Sequence, residues 1–138
     1  ITEFQAALAS SQLKRLDWSV ERRNEIAKQY DEAFSKLPLL TPNRDKDMLH
    51  AFHLYVIEVQ PSERKALYDY LREHKIFSQV LYIPAHTMPY YRSLGWKDGD
   101  CPVAEEYYSR CLALPMYPSL TDEEQQYVID TIFDFYNK

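Results

Sequence analysis

Glycine is unusually scarce in this chain, and its scarcity restricts which binding loops the chain can build. Only Gly95 and Gly99 occur among 138 residues, whereas an average usage of about 7% would supply about ten. Dinucleotide-binding and P-loop fingerprints both need several glycines where the backbone approaches phosphate. The sequence therefore argues against a glycine-rich phosphate loop within these residues.

Length and charge indicate a soluble domain of ordinary size. The length predicts one domain, or one domain with an extension, and 46% hydrophobic residues are enough for a core. The net charge of −5 leaves no basic footprint for nucleic acid or an anionic membrane. No apolar run approaches the roughly 18 residues of a membrane span. We expect neither nucleic acid nor membrane as a partner.

The cysteines and the first residue suggest a compartment and a longer parent chain. Cys101 and Cys111 form neither a CxxC pair nor a disulfide framework, which is typical of a reducing cytoplasm. Ile1 is not a natural start, and no signal-peptide pattern follows it. We therefore expect a cytoplasmic protein of which this chain is a fragment.

Apolar periodicity predicts helix from Thr2 to about Lys36. Ser19 has the chemistry to cap a second helix, so one bent helix or two joined helices fit the pattern equally. Prolines predict a loop over residues 37–47. We assign residues 1–36 to a connecting helical segment and residues 37–138 to a small C-terminal domain.

Three short segments read as strands, and helices follow between and after them. Alternation predicts a strand at residues 50–59, residues 77–83 are interpreted as a second, and residues 112–117 fit a short third, with an irregular stretch over residues 84–100. Ser62 predicts a helix through about Lys75, and Pro102 predicts one that includes Cys111 and Leu112. Thr121 and Glu124 form a capping box for the last helix. The sum is an α+β fold of about three strands covered by helices.

The irregular stretch holds the best candidates for chemistry. Tyr82 lies at the end of a predicted strand, and His86, Thr87, Tyr90 and Tyr91 follow it, where loops on a rigid base commonly carry binding groups. An imidazole and several tyrosines can hydrogen-bond sugar hydroxyls or phosphate oxygens and pack a ring face. From composition alone, the plainer interpretation is favoured: the aromatics roof the sheet and His86 is a surface histidine.

Other candidate groups favour structural roles. His50 and His53 would point to opposite faces of a strand, which argues against a shared metal. Cys111, and similarly Cys101, fits a small core residue better than a nucleophile. Arg22-Arg23 fits surface or interface ion pairing. The acidic run Asp122–Glu124 fits the first turn of a helix better than a catalytic pair.

No lysine stands in a context that suggests a Schiff base. Lys14, Lys28 and Lys36 are flanked by polar helix positions, and Lys46 and Lys97 lie in charged loops. The residues alone therefore indicate a soluble α+β domain and predict no catalytic or metal site.

The ordered motifs resemble the C-terminal part of the DegT/DnrJ/EryC1/StrS family of sugar aminotransferases. Residues 2–17 resemble its TEhQAALGLSQLxxLD helix, residues 22–30 its RRxxIAxxY segment, and residues 53–55 its HLY strand entry. Residues 80–86 resemble VHYxPxH, and residues 102–129 resemble the PxAE…LxLPxYPxLT…VI ending. Residues 76–91 and 104–118 look most similar to enzymes that aminate C4 of UDP-linked 4-keto-6-deoxy sugars, as in the pseudaminic acid pathway.

The resemblance implies the small C-terminal domain of the aspartate-aminotransferase type I fold, which is α/β in the whole enzyme. It implies a homodimer that moves an amino group, usually from glutamate, to a nucleotide-linked keto-sugar through pyridoxal 5'-phosphate. The Schiff-base lysine and most cofactor contacts would lie in the large N-terminal domain, so this chain alone is expected to be inactive. The alternative is a free-standing interaction domain that keeps the fold without the reaction.

The resemblance also assigns two substrate-binding residues. His86 matches the second histidine of VHYxPxH and Tyr82 matches its tyrosine, so both would approach the nucleotide-sugar from the small-domain side. Leu81 replaces the first histidine, which removes a polar contact at that position. Ala9 replaces a glycine of the lead helix, a change that favours helix.

Overall fold

The computed structural model describes residues 1–45 and 47–137. Within them the chain forms helices around a short antiparallel sheet, which confirms the predicted α+β class. The elements in chain order are α1 (Glu3–Leu13), α2 (Leu16–Phe34), β1 (Tyr55–Glu58), α3 (Pro61–Glu73), α4 (Pro89–Ser93), α5 (Pro102–Arg110), β2 (Cys111–Leu114) and α6 (Asp122–Tyr136). Among these helices, none has the length and apolarity needed to cross a membrane.

The helical lead-in consists of two joined helices. A capping box starts α1, because the Thr2 hydroxyl accepts from the Gln5 amide and the Gln5 side chain accepts from the Thr2 amide. The break lies at residues 14–15, so the expected cap at Ser19 is wrong. The Ser19 amide donates to the Arg15 carbonyl at 3.0 Å, which places Ser19 inside α2.

The sheet has two strands where about three were expected. β1 and β2 pair antiparallel, with Tyr55 opposite Leu114 and Glu58 opposite Cys111. The first strand is shorter than predicted because Phe52 adopts a positive φ of 43° and turns the chain before β1 begins. Leu40 adds a single bridge to Glu58 on the outer edge of β1.

The predicted strand over residues 77–83 is wrong apart from one bridge, between Gln79 and Ala113. Two local features stop this pairing from extending. Pro115 has no amide hydrogen to donate, and the Cys111 amide donates to the Tyr107 carbonyl at the end of α5. The segment therefore meets β2 at one residue only, and Phe77 remains 64% exposed.

Two predicted helix boundaries also move. Pro61 occupies the first turn of α3, so Gln60 is its N-cap instead of Ser62. Lys75, with a φ of 62°, turns the chain just after that helix ends. α5 ends at Arg110, which places Cys111 and Leu112 on β2 and not on the helix.

The core joins α2, α3 and α6 to the sheet. From α2 it takes Ile26, Ala27, Tyr30 and Phe34, all at most 1% exposed. Tyr30 stacks on Phe34 with ring centroids 5.5 Å apart and lies 4.9 Å from the ring of Tyr55. The second half of α2 thus shares a core with later residues, while the boundary between residues 36 and 37 stays a prediction.

Polar contacts tie α2 to α6 as well. The Gln125 side-chain amide donates to the Ile26 carbonyl at 2.8 Å in a fully buried setting. Arg22 forms an ion pair with Asp122 at 2.7 Å and donates to the Leu120 carbonyl at 3.0 Å. These bonds fix α2 on α6 and on the turn before it.

Candidate functional site

The candidate site lies on residues 84–101, which we name the aromatic loop. The sequence predicts this stretch as irregular, and it contains a short 3₁₀ turn at Ala85–Thr87 and the brief helix α4. Tyr90, Tyr91 and Trp96 are exposed on it. The loop therefore presents aromatic side chains to its surroundings instead of burying them over the sheet.

Several hydrogen bonds within the loop hold its shape. The Thr87 hydroxyl donates to the Pro84 carbonyl at 2.8 Å, which closes the 3₁₀ turn. Arg92 donates through Nε to the Thr87 carbonyl at 2.7 Å and pairs with Asp98 at 2.6 Å. The loop is an ordered platform, as expected for a binding loop on a rigid base.

His86 is buried, so its interpretation as a surface histidine is wrong. Only 7% of the residue is exposed, and its Nε2 lies 2.8 Å from Oε1 of Glu105 on α5. Within the described residues this is its one hydrogen bond. A buried imidazole held by a carboxylate has a fixed ring orientation, which a solvated histidine lacks.

Glu105 is a site residue that sequence reasoning missed. Its carboxylate also accepts from the Gly99 amide, at 2.8 Å to Oε1 and 3.0 Å to Oε2, and from the Cys101 amide at 3.4 Å. The hydrogen bond from His86, followed by that from Gly99, lowers the pKa of Glu105. A glutamate in the first turn after Pro102 was the available signal, because such side chains reach back to the preceding amides.

Tyr82 differs from His86 in its exposure. It is 83% exposed, and it makes no hydrogen bond to any residue in the described part of the chain. An open groove of about 630 Å³ lies elsewhere, between β2 and α6, and is lined by residues such as Phe77, Pro115 and Tyr127. No hydrogen bond links Tyr82 to His86 within the described residues, and the substrate-binding roles of both stay predictions.

His50 and His53, which form the HxxH spacing, precede β1. The expectation that they lie on a strand is therefore wrong. His50 accepts from the Phe52 amide through Nδ1 at 2.9 Å and packs against the Phe52 ring, while His53 is exposed. Across residues 1–45 and 47–137, no three His, Cys, Asp or Glu side chains cluster to hold a metal.

The cysteines and arginines take structural positions. Cys111 is fully buried, which confirms it as a core residue, and burial raises the pKa of its thiol; Cys101 is half-buried. Arg22 forms the expected ion pairs with Glu25 and Asp122. Arg23 differs: it donates to the carbonyls of Phe52, His53 and Met116 and so acts as a backbone clamp.

The acidic run lies at the start of a helix, and the lysines that the structure describes lie on the surface. Asp122–Glu124 forms the first turn of α6, and the capping box of Thr121 with Glu124 is confirmed. The lysines of the described residues are all exposed; Lys46 and Lys138 lie outside those residues.

Comparison with known proteins identifies the family. The model of the DegT/DnrJ/EryC1/StrS aminotransferase family matches residues 1–133. The chain belongs to this family. Its motifs, from the helical lead-in to the capped last helix, are therefore those of aminotransferases of the DegT/DnrJ/EryC1/StrS type.

Three proteins illustrate the similarity. The spore coat polysaccharide biosynthesis protein SpsC of Bacillus subtilis is 42% identical over 96% of this chain and 36% of its own length. The dTDP-4-dehydro-2,3,6-trideoxy-D-glucose 4-aminotransferase of Saccharopolyspora spinosa is 35% identical over 93% of this chain and 33% of its own. PseC of Helicobacter pylori, an aminotransferase in pseudoaminic acid biosynthesis, matches with a TM-score of 0.90 at 26% identity, covering 99% of this chain and 38% of its own. The chain thus spans about a third of these relatives.

Proposed function

We propose that the chain is the small-domain part of an aminotransferase that moves an amino group from glutamate to a nucleotide-linked 4-keto-6-deoxy sugar. The observation that carries the proposal is the family match over residues 1–133. The Saccharopolyspora relative bears a nucleotide keto-sugar in its name, and PseC has the same fold over 99% of this chain. The product would enter a cell-surface polysaccharide or glycan.

The family implies pyridoxal 5'-phosphate, and the described residues do not fit a complete site for it. Such a site needs a lysine amine for the Schiff base and backbone amides around the phosphate. The lysines among residues 1–45 and 47–137 are exposed, and the amide of Gly99 is already bound to Glu105. We therefore propose that a separate N-terminal domain holds most of the cofactor.

The contribution of this chain would be to shape the sugar pocket and the dimer. In the proposal, His86 and Tyr82 approach the nucleotide-sugar from the small-domain side, with the aromatic loop as their support. The partners would be glutamate, the N-terminal domain and a second copy in a homodimer, in the cytoplasm. Exposed apolar residues on α1, including Phe4, Leu8 and Leu13, suit packing against such a neighbour.

The proposal is tested by absorbance on the protein from the complete reading frame. We expect added pyridoxal phosphate to give a visible band, and glutamate to shift that band to shorter wavelength. A reading frame without a cofactor lysine, or a protein that gives no band, would refute the proposal. The chain would then be an interaction domain that keeps the fold without the reaction.

The role of His86 is tested by His86→Ala in the complete protein. We expect KM for the nucleotide keto-sugar to rise about tenfold, as for the loss of one hydrogen bond to a polar substrate. The cofactor spectrum and the glutamate half-reaction stay unchanged. The matched control is His53→Ala, because His53 is exposed and only its backbone carbonyl is bound, by Arg23. Equal kinetics in the two variants would remove His86 from the substrate site.

A further inference from the structure

We propose that Glu105 is a positioning residue, which holds the His86 ring with its hydrogen on Nε2 and leaves Nδ1 to accept a hydrogen bond from the substrate. The inference rests on the proposed function, because the substrate would be the nucleotide keto-sugar. It goes further by naming the residue that orients the imidazole and the ring nitrogen that faces the sugar.

The hydrogen bond between His86 and Glu105 determines which ring nitrogen carries the hydrogen. Nε2 of His86 lies 2.8 Å from Oε1 of Glu105, and an ionised carboxylate can only accept. The Gly99 and Cys101 amides can only donate, so the carboxylate accepts from both. The hydrogen bonds from His86, Gly99 and Cys101 lower the pKa of Glu105, which is ionised at neutral pH. Nε2 must therefore carry the hydrogen. In the neutral ring, Nδ1 is then the acceptor, which suits a sugar hydroxyl.

The same carboxylate closes the aromatic loop. His86 lies near the start of that loop, and the Gly99 and Cys101 amides lie at its end, yet all three donate to Glu105. Gly99 has a φ of 91°, a conformation that favours glycine at this turn. One side chain thus links both ends of the loop to α5, so the ring and the loop are positioned together.

Neighbouring Glu106 provides the contrast that separates positioning from a general effect of charge. It lies on the same helix and carries the same charge, but it is exposed and pairs with Arg110 at 3.1 Å. The aromatic loop donates no hydrogen bond to it within the described residues. Glu106→Gln therefore removes one negative charge from α5 without touching His86, which makes it the matched control.

Histidine NMR tests the orientation without relying on activity. The complete protein is labelled with ¹⁵N-histidine, and the His86 signals are assigned by their loss in His86→Gln. We expect the Nε2–H tautomer in the wild type and in Glu106→Gln. In Glu105→Gln the amide can donate to Nε2, so the Nδ1–H tautomer should gain population. A wild-type Nδ1–H ring, or a tautomer that neither Glu105→Gln nor Glu105→Ala changes, would overturn the inference.

Steady-state kinetics test the consequence for the substrate. We expect Glu105→Gln to raise KM for the keto-sugar about tenfold and to leave the glutamate half-reaction unchanged. Glu105→Asp should recover part of the loss, because it keeps a carboxylate. A parallel loss in both half-reactions together with a lower melting temperature would instead mark a purely structural role and overturn the inference.

The two proposals fail in different ways. If the wild-type protein shows no reaction with glutamate, the proposed function fails, while the tautomer measurement still decides whether Glu105 orients His86. If the glutamate reaction is normal and Glu105→Gln leaves KM for the keto-sugar unchanged, the proposed function stands and the positioning inference fails.

Discussion

Buried tyrosine hydroxyls set how stability depends on pH at the scale of single residues. Tyr30 donates to the Pro115 carbonyl at 3.1 Å, and Tyr55 donates to Asp31 at 2.6 Å. Burial raises the pKa of both hydroxyls, and it raises the pKa of Tyr136 to about 12. In the unfolded chain these groups ionise near pH 10. The stability that these protonated hydroxyls contribute to the folded state is therefore complete below about pH 10, and it is lost as the pH rises further.

Tyr30→Phe isolates one of these groups. At pH 8 we expect the free energy of unfolding to fall by about 1 kcal/mol, because one neutral hydrogen bond is lost. Above about pH 10 this deficit should shrink by up to about 1.4 kcal/mol per pH unit, since phenylalanine cannot ionise in the unfolded chain. Urea denaturation at pH 8, 10 and 11 measures this deficit. The control is Tyr90→Phe, because the Tyr90 side chain is exposed. A deficit that stays constant with pH would contradict the explanation.

Residue roles with local causes were predictable, and those with distant causes were not. Apolar neighbours were enough to predict Cys111 as a core residue. The partner of His86 lies 19 positions away on another helix, and no periodicity connects them. Arg23 likewise binds carbonyls of residues far along the chain, which no sequence pattern signals. Polar pairs between residues far apart in the chain are thus the part of the site that could not be predicted from the sequence.

At the scale of elements, the starts of α5 and α6 were predictable because their signals are local, whereas the caps expected at Ser19 and Ser62 were wrong. The Thr121–Glu124 box and the proline at the start of α5 fall where expected. The ends of a strand depend instead on whether the neighbouring backbone has free amide hydrogens to donate. The pairing at Gln79 does not extend, because Pro115 has no amide hydrogen. The sequence therefore predicted the helices of this region better than its sheet.

The two capping boxes offer a matched pair of variants. Thr121→Ala should lower the free energy of unfolding by about 1 kcal/mol, because α6 contributes buried residues to the core. Thr2→Ala removes the same motif from α1, which buries no residue, so global stability should not change. Urea denaturation followed by circular dichroism measures both. An equal loss in the two variants would mean that α1 is coupled to the core after all.

The whole molecule folds around one cluster to which α2 belongs. Ile26, Tyr30 and Phe34 are at most 1% exposed and contribute to the same core as β1, α3 and α6. α1 contributes no buried residue, and its large apolar side chains, Phe4, Leu8 and Leu13, are exposed. Packing therefore predicts that the chain tolerates the loss of α1 far better than the loss of α2, although the motifs place both in one connecting segment.

Two truncations test that asymmetry and the expected boundary between residues 36 and 37. Removing residues 1–15 should leave the urea midpoint unchanged. Removing residues 1–36 also takes Ile26, Tyr30 and Phe34 from the core, at about 2 kcal/mol for each buried side chain. The total, about 6 kcal/mol, is comparable with the whole stability of a typical domain, so this variant should lose cooperative unfolding. If residues 37–138 instead unfold cooperatively, the boundary at 36 is correct and the core closes without α2.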